Sequence, residues 1–337
     1  MNLFTSSRFK VPMAILLSLC LAVSAFAGGG GDSMGKEDSY KIVFLPKLVG
    51  IPWFTAMENG FKDYAKEAGD ISISVVGAPD TDPAAQARIL EDAIAQKPDA
   101  IVVVPNDTQT LEPIMAKGRE AGILMISQEA PGIKNADLDI EFLIAEKYGS
   151  DMMELFVREA GSEGGYAIMV GGLTVTSHNQ RADMAVAHQE KNYPGLYQVA
   201  SRLEGSESVE DAQDRTLELI SAYDDLVGVI YIGSLGAIGG AQAKVSANRG
   251  DLAVVGGSVP SQAKSYLKEG TINANYISNP YNIGFDSAYL VRHLLKGGTT
   301  KDAGDLPKNG AFKIAGSVVT FHAPAEVTAE NADSFGF

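Results

Sequence analysis

KIVFLPKLVGIPWFTAMENGFKDYAKEAGDISISVVG (Lys41–Gly77) holds one complete strand–helix–strand unit and decides how the rest of the chain is read. Lys41–Pro46 is a short apolar run closed by proline, and Ile71–Val76 is a second, β-branched run closed by glycine. Between them Phe54, Met57, Phe61, Tyr64, Ala65 and Ala68 recur at helical spacing, so Phe54–Ala68 predicts a surface helix with one apolar stripe. Two strands joined through a helix must pair in parallel by a right-handed crossover.

The same rhythm continues outward. Further strands are expected at Ala100–Val104, Ile123–Ser127 and Ile140–Ile144, with a helix at Ala84–Gln96 behind the Pro83 start signal. After a helix at Tyr148–Ala160 it restarts, with strands at Tyr166–Val170, Gln198–Leu203, Val227–Ile232, Leu252–Gly256 and Ile272–Ile277. Helices are expected near Asn179–Lys191, Val209–Tyr223, Ala237–Asn248, Ser261–Lys268 and Tyr281–Leu295. Unbroken apolar strands such as Ile101–Val104 require a sheet covered on both faces. The fold class is therefore α/β, as two doubly wound parallel-sheet lobes, and ligands of such sheets bind outside the carboxyl ends of the strands.

The chain has 337 residues, with 42 Asp+Glu against 27 Lys+Arg, a net charge of −15. Phosphate backbones would repel it, which argues against nucleic-acid partners. Residues 1–27 read as an export signal: Arg8 and Lys10, the apolar run Val11–Ala25, and the small-x-small pattern Ala25-Phe26-Ala27. Residues 28–39 (GGGGDSMGKEDS without periodicity) read as a flexible leader. The one cysteine, Cys20, lies inside the signal, and Leu19 before it disfavours lipid attachment. The expected location is periplasmic or cell-surface.

Enzymatic raw materials are scarce. There is no Gly-x-Ser-x-Gly elbow, and the histidines at 178, 188, 293 and 322 match no metalloprotease or zinc spacing. Gly233, Gly236, Gly239 and Gly240 are wrongly spaced for a dinucleotide fingerprint, so no metal and no cofactor are implied. At the strand ends stand instead Lys47, Trp53, Phe54, Asn106, Asp107, Gln128, Glu129, Ser177, His178, Ser234, Ser258, Ser278 and Asn279. A sugar presents hydroxyls at its rim and C–H faces above and below, and needs such polar edges beside an aromatic plane. Several have structural readings too: Trp53 and Phe54 as core, Asp107 as a helix cap, Ser177 as a turn residue. An alternative function, a secreted carbohydrate-active enzyme, would use Glu129 and Asp107 as its carboxylate pair.

FLPKLVGIPWFTAMENG (Phe44–Gly60), DAIVVVPND (Asp99–Asp107), TVTSHNQ (Thr174–Gln180), VVGGSVP (Val254–Pro260) and VTAENADSFGF (Val327–Phe337) occur in this order. Over the whole mature chain they resemble the type I periplasmic sugar-binding proteins of ABC transporters, in the branch of the autoinducer-2 and rhamnose binding proteins. The resemblance implies a Venus-flytrap binding protein, not an enzyme, which takes a small neutral sugar or autoinducer-2-like polyol and delivers it to ABC permease subunits. A chemoreceptor is a further candidate partner. Residue by residue, Lys47 is similar to the autoinducer-binding lysine, Trp53 and Phe54 to the aromatic pair, and Glu129 to the acidic contact, one methylene longer. Ser177 and His178 stand where that branch has Asp-Gln, Ser234 lies in a region lacking its Pro-x-Ala, Ser258 replaces an Asp of ribose-type relatives, and Asn279 lies near a position often Asp or Gln. The resemblance also implies three hinge crossings, near Ala145, near Asn279 and after Lys296. The lobes are accordingly expected as 40–145 plus 279–300 and 146–278 plus 301–337.

Overall fold

The computed structural model describes residues 39–337; the expected export signal, residues 1–27, and all but the last residue of the leader lie outside the described residues. The first lobe opens with β1 (Tyr40–Leu45), α1 (Pro52–Ala68), β2 (Ile71–Val75), α2 (Pro83–Ala95), β3 (Ala100–Val103), α3 (Thr108–Glu120), β4 (Leu124–Gln128) and β5 (Leu138–Glu141). The second holds α4 (Ala145–Ala160), β6 (Glu163–Val170), α5 (Thr176–Asn192), β7 (Gly195–Gln198), β8 (Leu203–Glu204), α6 (Val209–Ala222), β9 (Leu226–Ile232), α7 (Gly236–Ser246), β10 (Ala253–Gly256), α8 (Pro260–Lys268) and β11 (Ala274–Ile277). The chain ends with α9 (Pro280–Leu295), β12 (Lys313–Ala315), β13 (Val318–Thr320) and β14 (Ala325–Val327).

One sheet runs β12-β13-β5-β4-β3-β1-β2, and the other β14-β11-β10-β9-β6-β7 with β8 also on β6. All pairings within them are parallel except β12 with β13 and β11 with β14. The central strands β3 and β10 are buried at every residue, as strands covered on both faces must be. In α1 the expected stripe is the buried one, with Phe54, Met57, Phe61 and Tyr64 turned inward and Phe61 stacked on Phe44 of β1.

The ends of the chain correct the expected division. Residues 301–337 do not all join the second lobe, because β13 pairs in parallel with β5 and carries β12 with it into the first sheet. The third crossing therefore lies between β13 and β14, at 321–324, further along the segment after Lys296 than the expected boundary at 300/301. The strand expected at Ile140–Ile144 sits earlier, since past Glu141 the chain leaves the sheet; the Ile144 N–H is taken by Nδ1 of His322, which ties the first crossing to the third. The strand expected at Gln198–Leu203 splits into β7 and β8, on either side of Arg202, whose guanidinium turns back to Asn179 and Asp183 on α5. Helix α3, with Pro113 inside it, and the short strands β12–β14 go beyond the elements read from periodicity.

Candidate functional site

Where the carboxyl ends of the two sheets meet, side chains of both lobes enclose a cavity. Lys47, Trp53, Phe54, Glu129, Phe142 and Leu143 line it from the first lobe and the first crossing. Tyr148, His178, Arg181, Glu207, Ser234 and Tyr276 line it from the second.

Its centre is a buried ion cluster. Lys47, just beyond β1, is 1 % exposed and donates to Glu129 Oε2 at 2.5 Å. Arg181 of α5 donates to the same oxygen through Nη2 at 3.0 Å, and the Ser177 hydroxyl does so at 3.2 Å. Burial works against the charged form, but the neighbouring Lys47 and Arg181 cations outweigh it, and the Glu129 carboxyl is held far below the usual carboxylate range. Glu129 also sits at φ +50, a left-handed backbone uncommon for a residue with a side chain, where the strand turns into the cavity. The Arg181 guanidinium lies 6.0 Å from the Phe142 ring centre and 5.6 Å from that of Tyr148, within cation–π range.

The opposite wall is quieter. The Gly171 N–H donates to His178 Nδ1 at 3.1 Å, so that nitrogen must carry a lone pair and the proton belongs on Nε2. Burial and the nearby Lys47 and Arg181 push His178 well below the usual histidine range, and it is neutral. Its Nε2 lies 3.8 Å from Glu207 Oε1. Glu207 Oε2 accepts from the Ser234 N–H at 3.0 Å and the Ser234 hydroxyl at 2.7 Å. Aromatic planes complete the walls: Trp53 lies 6.2 Å from Phe142, and Tyr148 stacks on Tyr276 at 5.7 Å.

Seven of the expected strand-end residues, Lys47, Trp53, Phe54, Glu129, His178, Ser234 and Ser278, line the cavity, and Ser177 stands behind it on Glu129. The other five do not line it, and Gln128 turns away to the Ser287 hydroxyl. Asp107 caps α3, accepting from the Thr110 N–H at 2.6 Å, and Asn279 caps α9, accepting from the Asn282 N–H at 3.2 Å. The Asn106 amide turns inward to the Lys47 carbonyl, and the Ser258 backbone N–H and carbonyl pair with the Asn275 side chain. With Asp107 occupied as a cap, the Glu129–Asp107 pair that glycoside hydrolysis would need is not assembled. Missed by sequence reasoning were Arg181, Glu207, Phe142, Tyr148 and Tyr276. Arg181 lies three residues after His178 on α5, one helical turn on, and that spacing could have found it. Glu207 gave no such signal.

Residues 42–299 match the family described as a periplasmic binding protein domain. A D-ribose/D-allose-binding protein of Pseudomonas aeruginosa is 24 % identical over 269 residues, covering 77 % of this chain and 83 % of its own. Among solved structures, an ABC transporter solute-binding protein from Clostridium phytofermentas with bound L-rhamnose aligns with a TM-score of 0.80 at 20 % identity, covering 88 % of this chain and 98 % of that one. LsrB from Clostridium saccharobutylicum in complex with AI-2 aligns with a TM-score of 0.78 at 20 % identity, covering 88 % and 100 %. The chain belongs to the periplasmic binding protein family. These relatives are described as binding proteins, and no helix among the described residues is long and apolar enough to cross a membrane.

Proposed function

We propose that this chain is the extracytoplasmic solute-binding component of an ABC importer. It takes one small uncharged sugar, or a polyol of the autoinducer-2 kind, between its lobes and hands it to the permease. The observation that carries this reading is the charge balance of the cavity. Lys47 and Arg181 stand against Glu129 and Glu207, so an enclosed ligand with no net charge leaves no buried charge uncompensated. Aromatic faces at Trp53 and Phe142, and at Tyr148 and Tyr276, suit the C–H faces of a sugar ring.

Size supports the same class. The cavity offers about 50 Å³ to the centre of a water molecule. An enclosed space of this order suits a single small ring rather than an oligosaccharide. A ligand touching both lobes binds the approximated arrangement better than the separated one and shifts the population toward it. The ribose, allose, rhamnose and AI-2 named for the relatives define the panel to try. The test is thermal-shift screening of the purified protein against pentoses, hexoses, deoxyhexoses and autoinducer-2, followed by titration calorimetry. One of them should raise the melting temperature and titrate at one per chain, and be recovered unchanged. A panel in which nothing binds, or a ligand recovered chemically altered, would overturn the reading.

A further inference from the structure

Glu207 lies in the turn between β8 and α6, between Ser206 and Ser208, at a place no motif marks. Its carboxylate is fixed through one oxygen and free at the other. Oε2 receives both Ser234 donors, whereas no donor among the described residues reaches Oε1 within hydrogen-bond distance. The side chain is 10 % exposed and lines the cavity. Glu129 also takes its donors on one oxygen, Oε2, but there three donors, two of them cationic, come from within the chain. A carboxylate locked in orientation, with its second oxygen facing an enclosed cavity, is placed to take a donor from whatever fills that cavity.

We propose that Glu207 is a specificity-determining residue whose free Oε1 accepts a hydroxyl of the bound molecule, so that the site selects ligands bearing a hydroxyl on the edge that faces the second lobe. This rests on the sugar-binding reading above. Three consequences follow from chemistry. A deoxy analogue lacking that hydroxyl leaves the buried oxygen unmet and binds more weakly than its parent. Glutamine at this position keeps an acceptor for Ser234 but turns an amide N–H₂ toward the ligand, which replaces the acceptor with a donor. And protonation of Glu207 does the same, so binding weakens in acid.

The groups facing Glu207 make this last effect readable. Lys47 stands beyond β1, Glu129 beyond β4, Tyr148 on α4, His178 and Arg181 on α5, and Tyr276 on β11. Burial raises the Glu207 carboxyl above the usual range, with Ser234 and Lys47 opposing and the Glu129 charge adding to it. Glu129 is held far below that range, His178 is pushed well below the usual histidine range, and Tyr148 is pushed up to about 12 and Tyr276 also upward, so these do not titrate in mild acid.

The experiment is titration calorimetry of the wild type and Glu207→Gln, from pH 5 to 8, with a panel of pentoses, hexoses and their monodeoxy analogues. Expected for the wild type is a loss of about tenfold or more for the deoxy analogue at the contacted position, and weaker binding as pH falls. Glu207→Gln should bind the parent about 10- to 100-fold more weakly, lose the acid-side slope and cease to distinguish parent from deoxy analogue. Should Glu207→Gln fail to fold, Glu207→Asp, which keeps the charge but withdraws the oxygen, must lose the same discrimination. A variant with wild-type affinities, ranking and pH profile would overturn the assignment while leaving the sugar-binding reading standing. A wild type that binds nothing in the panel would overturn both.

Discussion

Arg181 of the second lobe and Glu129 of the first form a buried ion pair across the cleft, with Nη2 3.0 Å from Oε2 and exposures of 9 % and 3 %. The same oxygen holds Lys47 from its own lobe, so a single carboxylate balances one cation on each side. The lobes are thus joined by the chain's own charges as well as by whatever they enclose. The Ser177 hydroxyl on Glu129 and the Thr108 N–H, 3.3 Å from the Thr176 hydroxyl, add further contacts across the cleft.

Arg181→Met should therefore loosen the lobes while leaving the Lys47–Glu129 pair in place. Small-angle scattering of the sugar-free variant should give a larger radius of gyration than the sugar-free wild type, and an identical value would refute the cross-lobe role. Glu129→Gln is a harsher change, because it leaves Lys47 and Arg181 as two buried cations with no carboxylate in contact. Urea unfolding should show a loss of about 3 kcal/mol, accompanied by loss of sugar binding.

Helices α1 and α9 come from opposite ends of the first lobe's sequence and touch backbone to backbone. A side chain at Gly60 would overlap the Tyr281 carbonyl, and one at Gly284 the Met57 carbonyl. This contact returns the chain to the first lobe after the second crossing. Gly60→Ala or Gly284→Ala should each destabilise by about 1–3 kcal/mol or more through overpacking, read as a lowered urea midpoint. An unchanged midpoint in both would show that the helices can separate freely.

Asp139 and Glu141 point to one face of β5, where burial pushes Asp139 up to about 6 and Glu141 well above the usual carboxylate range. The Ser127 hydroxyl donates to Asp139 Oδ1 at 2.6 Å. An unfolded Asp ionises near ~3.9, so as pH rises the unfolded chain releases this proton before the folded one does. The stability it contributes is fully present below about pH 4 and lost as pH rises through about 6. Asp139→Asn should lessen the fall in stability between pH 4 and 6.5, leaving the part that Glu141 contributes, and be more stable than the wild type at pH 7 by about 2 kcal/mol, measured by urea unfolding at each pH. An undiminished wild-type slope in the variant would place its origin elsewhere.

Periodicity and punctuation alone determined most of the architecture. The Val/Ile runs at Ile42–Leu45 and Ile101–Val103 and the stripe from Phe54 to Tyr64 are local patterns, and the strand–helix alternation with its crossover rule follows from them. Lys47, Trp53, Phe54 and Glu129 could be named because a residue at a strand's carboxyl end is placed by that strand. Only the tertiary structure decided which of the strand-end residues converge. Asp107 and Glu129 stand at similar positions in sequence, yet one caps a helix and the other holds two cations. Arg181 reaches Glu129 across a separation of 52 residues, Gln128 reaches Ser287 across 159, and β13 finds β5 from the far end of the chain. Contacts of that span depend on how two lobes fold back on each other, and no local pattern of residues records them.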